Sequence, residues 1–161
     1  MSSHPDPDAL GFVLIDVARM LRSAFERRIA TAGLGLTPGE ARTLVRIATL
    51  EGSRQLDIAQ RMGIEPMTLS TYLDRLQGLG LIERRPDPAD RRAKLIFTTP
   101  AASELIASIR FEQIELMQHV TSGIGEADLA VMGEQLMRLR ANLSAIEEDG
   151  AAPLLAREAG R

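Results

Sequence analysis

Within the eleven residues from 84 to 94 the chain gathers Arg84, Arg85, Arg91, Arg92 and Lys94, and laces them with Pro86, Asp87, Pro88 and Asp90. Guanidinium groups at this density suit phosphate, which they can grip with two parallel hydrogen bonds. Arginine also suits a narrow, electronegative minor groove, because its planar cation sheds water readily. Asp87 or Asp90 can pair with one of these arginines and aim it, and the two prolines stiffen the segment. A second set of candidates lies just upstream in Thr68, Ser70, Thr71 and Arg75. Their hydroxyls can hydrogen-bond to base edges or phosphates, and a threonine methyl can touch thymine. The bland alternative for both sets is a solvated surface with local ion pairs that contribute little.

Other chemistries find little support. The chain has no cysteine, which removes disulfides, thiolate metal sites and thiol redox switching. No Ser/His/Asp set, phosphate-binding glycine loop or dinucleotide motif is present. Asp87 and Asp90 would make a poor acid/base pair, since the arginines around them hold both ionised. His4 and His119 have no second ligand at metal spacing. No enzyme, metal or cofactor is therefore expected.

The elements that must carry the candidates follow from apolar spacing. Leu10, Val13, Leu14, Val17, Met20, Leu21, Phe25 and Ile29 recur in steps of three and four, predicting an amphipathic helix over 9–32 that Gly33 and Gly35 end. Thr37-Pro38-Gly39-Glu40 reads as a capping box with proline at the first helical position. That second helix turns Leu44, Ile47 and Ala48 inward and stops at Gly52. Ser53 is expected to cap a short helix carrying Leu56, Ile58, Ala59 and Met62, closed by Gly63. Pro66 opens the next, which runs to Gly78 or Gly80. Two short helices joined by a tight glycine turn form a helix-turn-helix.

On a wheel of about 100° per residue, Pro66, Leu69, Tyr72, Leu73 and Leu76 share one arc of that last helix. Met67, Thr68, Ser70, Thr71, Asp74 and Arg75 fill the rest. Its N-terminus adds partial positive charge and open N–H groups. Glu65 opposes an approaching phosphate unless it serves as the N-cap. Leu81–Arg85 and Lys94–Thr99 predict two strands, with the proline- and aspartate-rich stretch as their loop. Helices over 103–120 and 126–147 follow. A helix-turn-helix leading directly into a two-stranded hairpin is a winged helix, so the basic cluster lies on a wing.

With 45% hydrophobic but only 3% aromatic residues, the core is expected to be mostly Leu, Ile, Ala, Val and Met. The net charge is −3, with the last sixty residues predominantly acidic, so a local patch must serve any nucleic acid. No apolar run reaches the ~18 residues of a membrane span. MSSHPDPD lacks the apolar region of a signal peptide, so a soluble cytoplasmic protein is expected.

LDRL (73–76), GLGLIERR (78–85), DPADRRAK (87–94) and TTPAA (98–102) together resemble the MarR family of winged-helix transcriptional regulators, and its SlyA-type branch most. The order of elements matches over roughly residues 10–147. The resemblance implies a mainly α fold with a small β-hairpin wing, the winged helix-turn-helix being flanked by long dimerisation helices. It divides the chain into a tail (1–8), a dimerisation helix (9–36), a DNA-binding domain (37–100), C-terminal dimerisation helices (101–148) and a loose tail (149–161). It implies a homodimeric regulator, a repressor, on palindromic double-stranded DNA. Arg92, two positions after Asp90, would enter the minor groove, supported by Arg84, Arg85, Arg91 and Lys94. Thr68, Ser70, Thr71 and Arg75 match recognition-helix positions, although similar proteins often carry arginine where Thr71 stands. Ser53, Arg54 and Gln55 match a segment that touches phosphate.

The resemblance also implies a small aromatic or lipophilic effector. Arg19, Arg22, Phe25 and Phe111 are of suitable type, but the sequence assigns them no pocket. The two C-terminal helices are apolar over more than one stripe, which favours pairing with a second chain. Met20, Met117, Met132 and Met137 are expected to fill gaps in the core or that interface. The reading from another class is a helical interaction protein that uses its winged helix to bind protein; Thr71, Glu65 and the acidic balance point that way.

Overall fold

The computed structural model describes residues 7–148. The expected tails 1–8 and 149–161 lie outside them, except that Pro7 and Asp8 already belong to the first helix. The chain divides into two compact units, one ending at Met117 and the other beginning at Gln118.

The first unit opens with α1 (Pro7–Thr31), and Gly33 and Gly35 take left-handed φ of 68° and 73° to end it. Its apolar stripe turns inward only in its second half. Leu21 packs against the core and Phe25 and Ile29 lie in it, whereas Leu10, Val13, Val17 and Met20 stay exposed.

α2 (Pro38–Thr49) starts on the expected capping box: Thr37 Oγ1 accepts from the Glu40 N–H at 3.3 Å, and the Thr37 N–H donates to Glu40 Oε2 at 2.8 Å. It buries Ala41, Thr43, Leu44 and Ile47. The Thr43 hydroxyl donates to the Gly39 carbonyl at 2.8 Å, so its burial leaves no polar atom unmet.

The chain then departs from expectation. Ser53 does not cap a helix; with Arg54 it forms a short strand, β1 (Ser53–Arg54). Helix α3 (Gln55–Met62) starts after it with Arg54 at the N-cap position and no side-chain capping bond. Within α3, Ile58 and Ala59 are buried but Leu56 is 66% exposed.

Gly63 ends α3 at φ 62°, and three residues later α4 (Pro66–Gly78) begins. Leu69, Leu73 and Leu76 bury its inner face, and Tyr72 lies half-buried; Pro66 is exposed. The Tyr72 ring comes so close to the backbone of Gly39 in α2 that a Cβ there would sit 2.5 Å from the ring. Only glycine admits that approach.

β2 (Ile82–Pro86) and β3 (Lys94–Thr98) form the hairpin, registered from Ile82 opposite Thr98 to Pro86 opposite Lys94. β1 pairs antiparallel on the other side of β3, giving the order β1-β3-β2. The sheet thus has three strands rather than the two expected. Pro86, which has no N–H to give, sits at the end of an edge strand.

One core joins Phe25, Ile29, Leu44, Ile47, Ile58, Leu69, Leu73, Leu76, Ile82 and Ile96 to Ile106 and Ile109 of α5 (Ser103–Val120). Burial of these side chains contributes roughly 1.5–3 kcal/mol each. Arg28 of α1 adds an ion pair to Glu112 of α5 at 2.8 Å. Among the described residues no methionine or valine is fully buried, so Met20, Met117, Met132 and Met137 are not core fillers within one chain.

In the second unit Gly123, at φ 86°, leads into α6 (Glu126–Glu148). Val131, Met132, Leu136, Met137, Leu143 and Ile146 of α6 are all exposed.

Candidate nucleic-acid interface

All thirteen expected contact residues fall in the first unit, on α4, the wing, and the β1–α3 junction. Pleating separates the two adjacent arginines of β2, because neighbours along a strand face opposite ways. Arg84 shares a face with Ile82 and Ile96, the side packed on the helices. There its Nη2 meets Asp74 Oδ1 at 2.7 Å and its Nη1 donates to Gln77 Oε1 at 2.9 Å, both on α4. Arg85 faces the other way, with its guanidinium 4.3 Å from the centre of the Phe97 ring and bonded to Glu83. Arg84 therefore binds the wing to α4, and Arg85 covers the sheet.

The wing loop has its own internal order. Asp87 accepts from the Ala89 N–H at 2.8 Å, and Asp90 accepts from the Arg92 N–H at 3.0 Å. Backbone bonds from Asp87 N to Ala93 O (3.1 Å) and from Ala93 N to Asp90 O (2.9 Å) close the tip. The expectation is that Asp87 or Asp90 pairs with one of the wing arginines and aims it. Asp90 instead binds backbone, and Asp87 finds its partner 33 residues away in Arg54, whose Nε donates to Oδ2 at 2.8 Å. The Asp87 side chain is only 8% exposed against 44% for Arg54.

The Ala89 N–H, followed by Arg54, holds the Asp87 carboxyl below the usual carboxylate range; Asp87 in turn raises Arg54. Arg54 is thus engaged in joining the start of α3 to the wing. Its expected phosphate contact is available only to the half of the side chain that remains exposed.

The outcome is a division of labour. Arg54, Arg84 and Arg85 all have protein partners. Among the described residues, Arg91, Arg92 and Lys94 make no side-chain hydrogen bond or ion pair, and all three are exposed. Unpaired cations gathered within four residues form a surface that attracts anions.

On α4, Thr68, Thr71 and Arg75 are exposed and Ser70 is half-buried. The Thr71 hydroxyl donates to the Met67 carbonyl at 3.2 Å, which leaves its methyl and its acceptor lone pairs for a ligand. Glu65 occupies the N-cap position but makes no side-chain capping bond. Gln55 is half-buried at the first position of α3, and Ser53, also half-buried, is held in the sheet opposite Ile96.

Comparison with known proteins places this arrangement. A profile of the MarR family matches residues 36–94, the span from the end of the α1–α2 loop to the start of β3. The crystal structure of the transcriptional regulator PA3341 is 34% identical, covers 84% of this chain with 98% of its own, and superposes with a TM-score of 0.73. The chain belongs to the MarR family. A MarR-family regulator from Rhodococcus sp. RHA1 is 27% identical, covering 86% of this chain and 96% of its own at a TM-score of 0.70. The transcriptional regulator SlyA is also 27% identical, covering 89% and 99% at a TM-score of 0.70.

The protein is therefore a DNA-binding transcriptional regulator of the MarR family, and not an enzyme. Among the residues of suitable type for an effector, Phe25 is part of the core, Arg19 pairs with Asp16 along α1 at 3.0 Å, and Phe111 is exposed on α5. Among the described residues, no cluster of three metal-ligating side chains occurs and no helix is long and apolar enough to cross a membrane. His119 is exposed in the last turn of α5.

Proposed function

We propose that this MarR-family regulator works as a homodimer on an inverted-repeat operator, with α4 in the major groove and the wing tip in the minor groove. The observation that carries the reading is the contrast on the wing: Arg91, Arg92 and Lys94 face outward without partners while the arginines beneath them are paired. Arg92 is the minor-groove residue, and Arg91 and Lys94 contact flanking phosphates. Thr68, Ser70, Thr71 and Arg75 read the major groove. Ser53 and Gln55 approach phosphate at the start of α3, with the exposed part of Arg54. Arg84, Arg85 and Asp90 act indirectly by holding α4, the sheet and the tip in place.

Dimerisation is supported by the apolar side chains that one chain leaves in solvent along α1, α5 and α6, such as Phe12, Val17, Phe111, Ile114, Leu136 and Leu143. Residues 9–36 and 101–148 form the dimer and residues 37–100 bind DNA. Met20, Met117, Met132 and Met137 fill the gaps of that interface. Repression relieved by a small aromatic or lipophilic effector is the regulatory mode that accords with this architecture: a ligand that favours one spacing of the two α4 helices shifts the population between binding and released forms.

The test is selection of the purified protein against a random duplex pool at physiological salt. The expected product is an inverted repeat with half-sites about one helical turn, ~10 bp, apart. A folded protein that returns a flat pool would overturn the reading in favour of protein recognition by the winged helix.

A further inference from the structure

In the described part of the winged helix, large apolar side chains are exposed at only three places between residues 37 and 100: Leu56, Leu79 and Met67. Leu79 ends α4 and is 41% exposed, while Met67 is 80% exposed, more than any other large apolar side chain described. Met67 stands at the second position of α4, in the turn that leads the helix. It lies outside the apolar stripes of α1, α5 and α6 that a second chain would cover.

Its neighbours define a surface. Residues four apart stack on one helix face, so Met67, Thr71 and Arg75 form a line, with Thr68 beside it. The Thr71 hydroxyl donates to the Met67 carbonyl, a bond in which the Thr71 methyl takes no part. The leading turn of α4, Pro66 to Leu69, is thus polar only at Thr68, with the first cation along the helix about two turns beyond Met67 at Arg75. In the major groove the one apolar feature a base pair offers is the C5-methyl of thymine. A flexible, polarizable thioether adapts closely to such a group.

We propose that Met67 is a specificity-determining residue that reads thymine by burying the C5-methyl of a base near each half-site's α4 N-terminus, with the Thr71 methyl completing the contact. The inference rests on the placement of α4 in the major groove argued above.

The test uses the full-length protein and the inverted repeat recovered from the random pool. Each thymine of the half-site is replaced in turn by uracil, which keeps the base pair and removes only the methyl. Wild-type protein loses affinity about fourfold per half-site at one or two such positions, the effect of withdrawing one buried methyl. Met67→Ala and Met67→Gln, the second keeping the length but not the apolar character, bind thymine and uracil duplexes there alike. Both variants keep the wild-type salt slope and thermal stability, because the side chain is exposed and uncharged. If uracil costs the variants as much as it costs wild type, or costs wild type nothing at any position, the assignment of Met67 is overturned while the reading of α4 stands. A pool that yields no repeat overturns the placement of α4, and the Met67 contact with it.

Discussion

The base and the tip of the wing use the same residue type for opposite ends. At the base, Arg54, Arg84 and Arg85 each face a carboxylate, and together they fasten the start of α3, helix α4 and the sheet to one another. At the tip, a few residues away, Arg91, Arg92 and Lys94 have no such partner among the described residues. The difference comes from backbone geometry rather than from composition. Strand pairing presents the base residues to fixed neighbours, whereas at the tip Asp90 accepts from the Arg92 N–H and Asp87 is shared between the Ala89 N–H and Arg54. An arginine-rich segment in an acidic protein is thus half scaffold and half unpaired charge.

Replacing Arg91, Arg92 and Lys94 together by alanine separates the halves most sharply. It should lower the log–log slope of affinity against salt by about three to four for a dimer, since Arg91 and Lys94 each lose a phosphate contact in both subunits and each contact removes about 0.9. Arg92→Ala alone should cost about 1–3 kcal/mol of binding. Thermal unfolding should be unchanged in both; a lower melting temperature would show that the tip is structural.

Asp87→Asn strikes the base instead. It leaves Arg54 without its charged partner and weakens the turn at Ala89, so the melting temperature should fall. DNA affinity should fall with it, but with the salt slope intact. The carboxyl is held below its ordinary value of 3.8, so its contribution is complete above that pH and disappears as pH falls through the lower folded value. Wild type and variant should therefore differ by a constant amount from pH 5 to 8 and converge in urea unfolding only below about pH 4. A gap that persists under strong acid would mean that the charge of Asp87 plays no part.

Arg84→Ala should have the smallest effect. The pair with Asp74 is largely exposed on the aspartate side, and such pairs contribute about 0–1 kcal/mol. Binding should weaken a fewfold because Asp74 then stands uncompensated on α4, and the further change Asp74→Asn should restore it. Failure of that restoration would make Arg84 a direct DNA contact.

Much of this organisation was legible beforehand because it is written in local signals. The capping box at Thr37, the turn at Gly63 and the proline at 66 each act within a few residues, and the helix-turn-helix followed from them. What escaped depends on distance or on brevity. β1 is two residues long and has no pattern of its own; it exists because β3 offers an open edge, and Ser53 was therefore taken for a helix cap. The partner of Asp87 lies across 33 residues and a strand pairing, beyond the reach of spacing arguments. The opposite duties of Arg84 and Arg85 were readable in principle from strand alternation once Ile82 was placed in the core. Phe25 looked like a ligand contact by type, but its spacing with Ile29 had already put it on the buried face of α1.

The contact between Tyr72 and Gly39 bears on how such a reader could be rewritten. The inner side of α4 is keyed into α2 where the Tyr72 ring lies against Gly39, while Met67, Thr68, Thr71 and Arg75 on the outer side are exposed, with only the Thr71 hydroxyl bonded, to the Met67 carbonyl. Keeping the glycine and the tyrosine fixed holds the depth and angle of the helix as its outward residues are exchanged. The joint that seats α4 and the residues that α4 presents outward are thus separate parts of one helix.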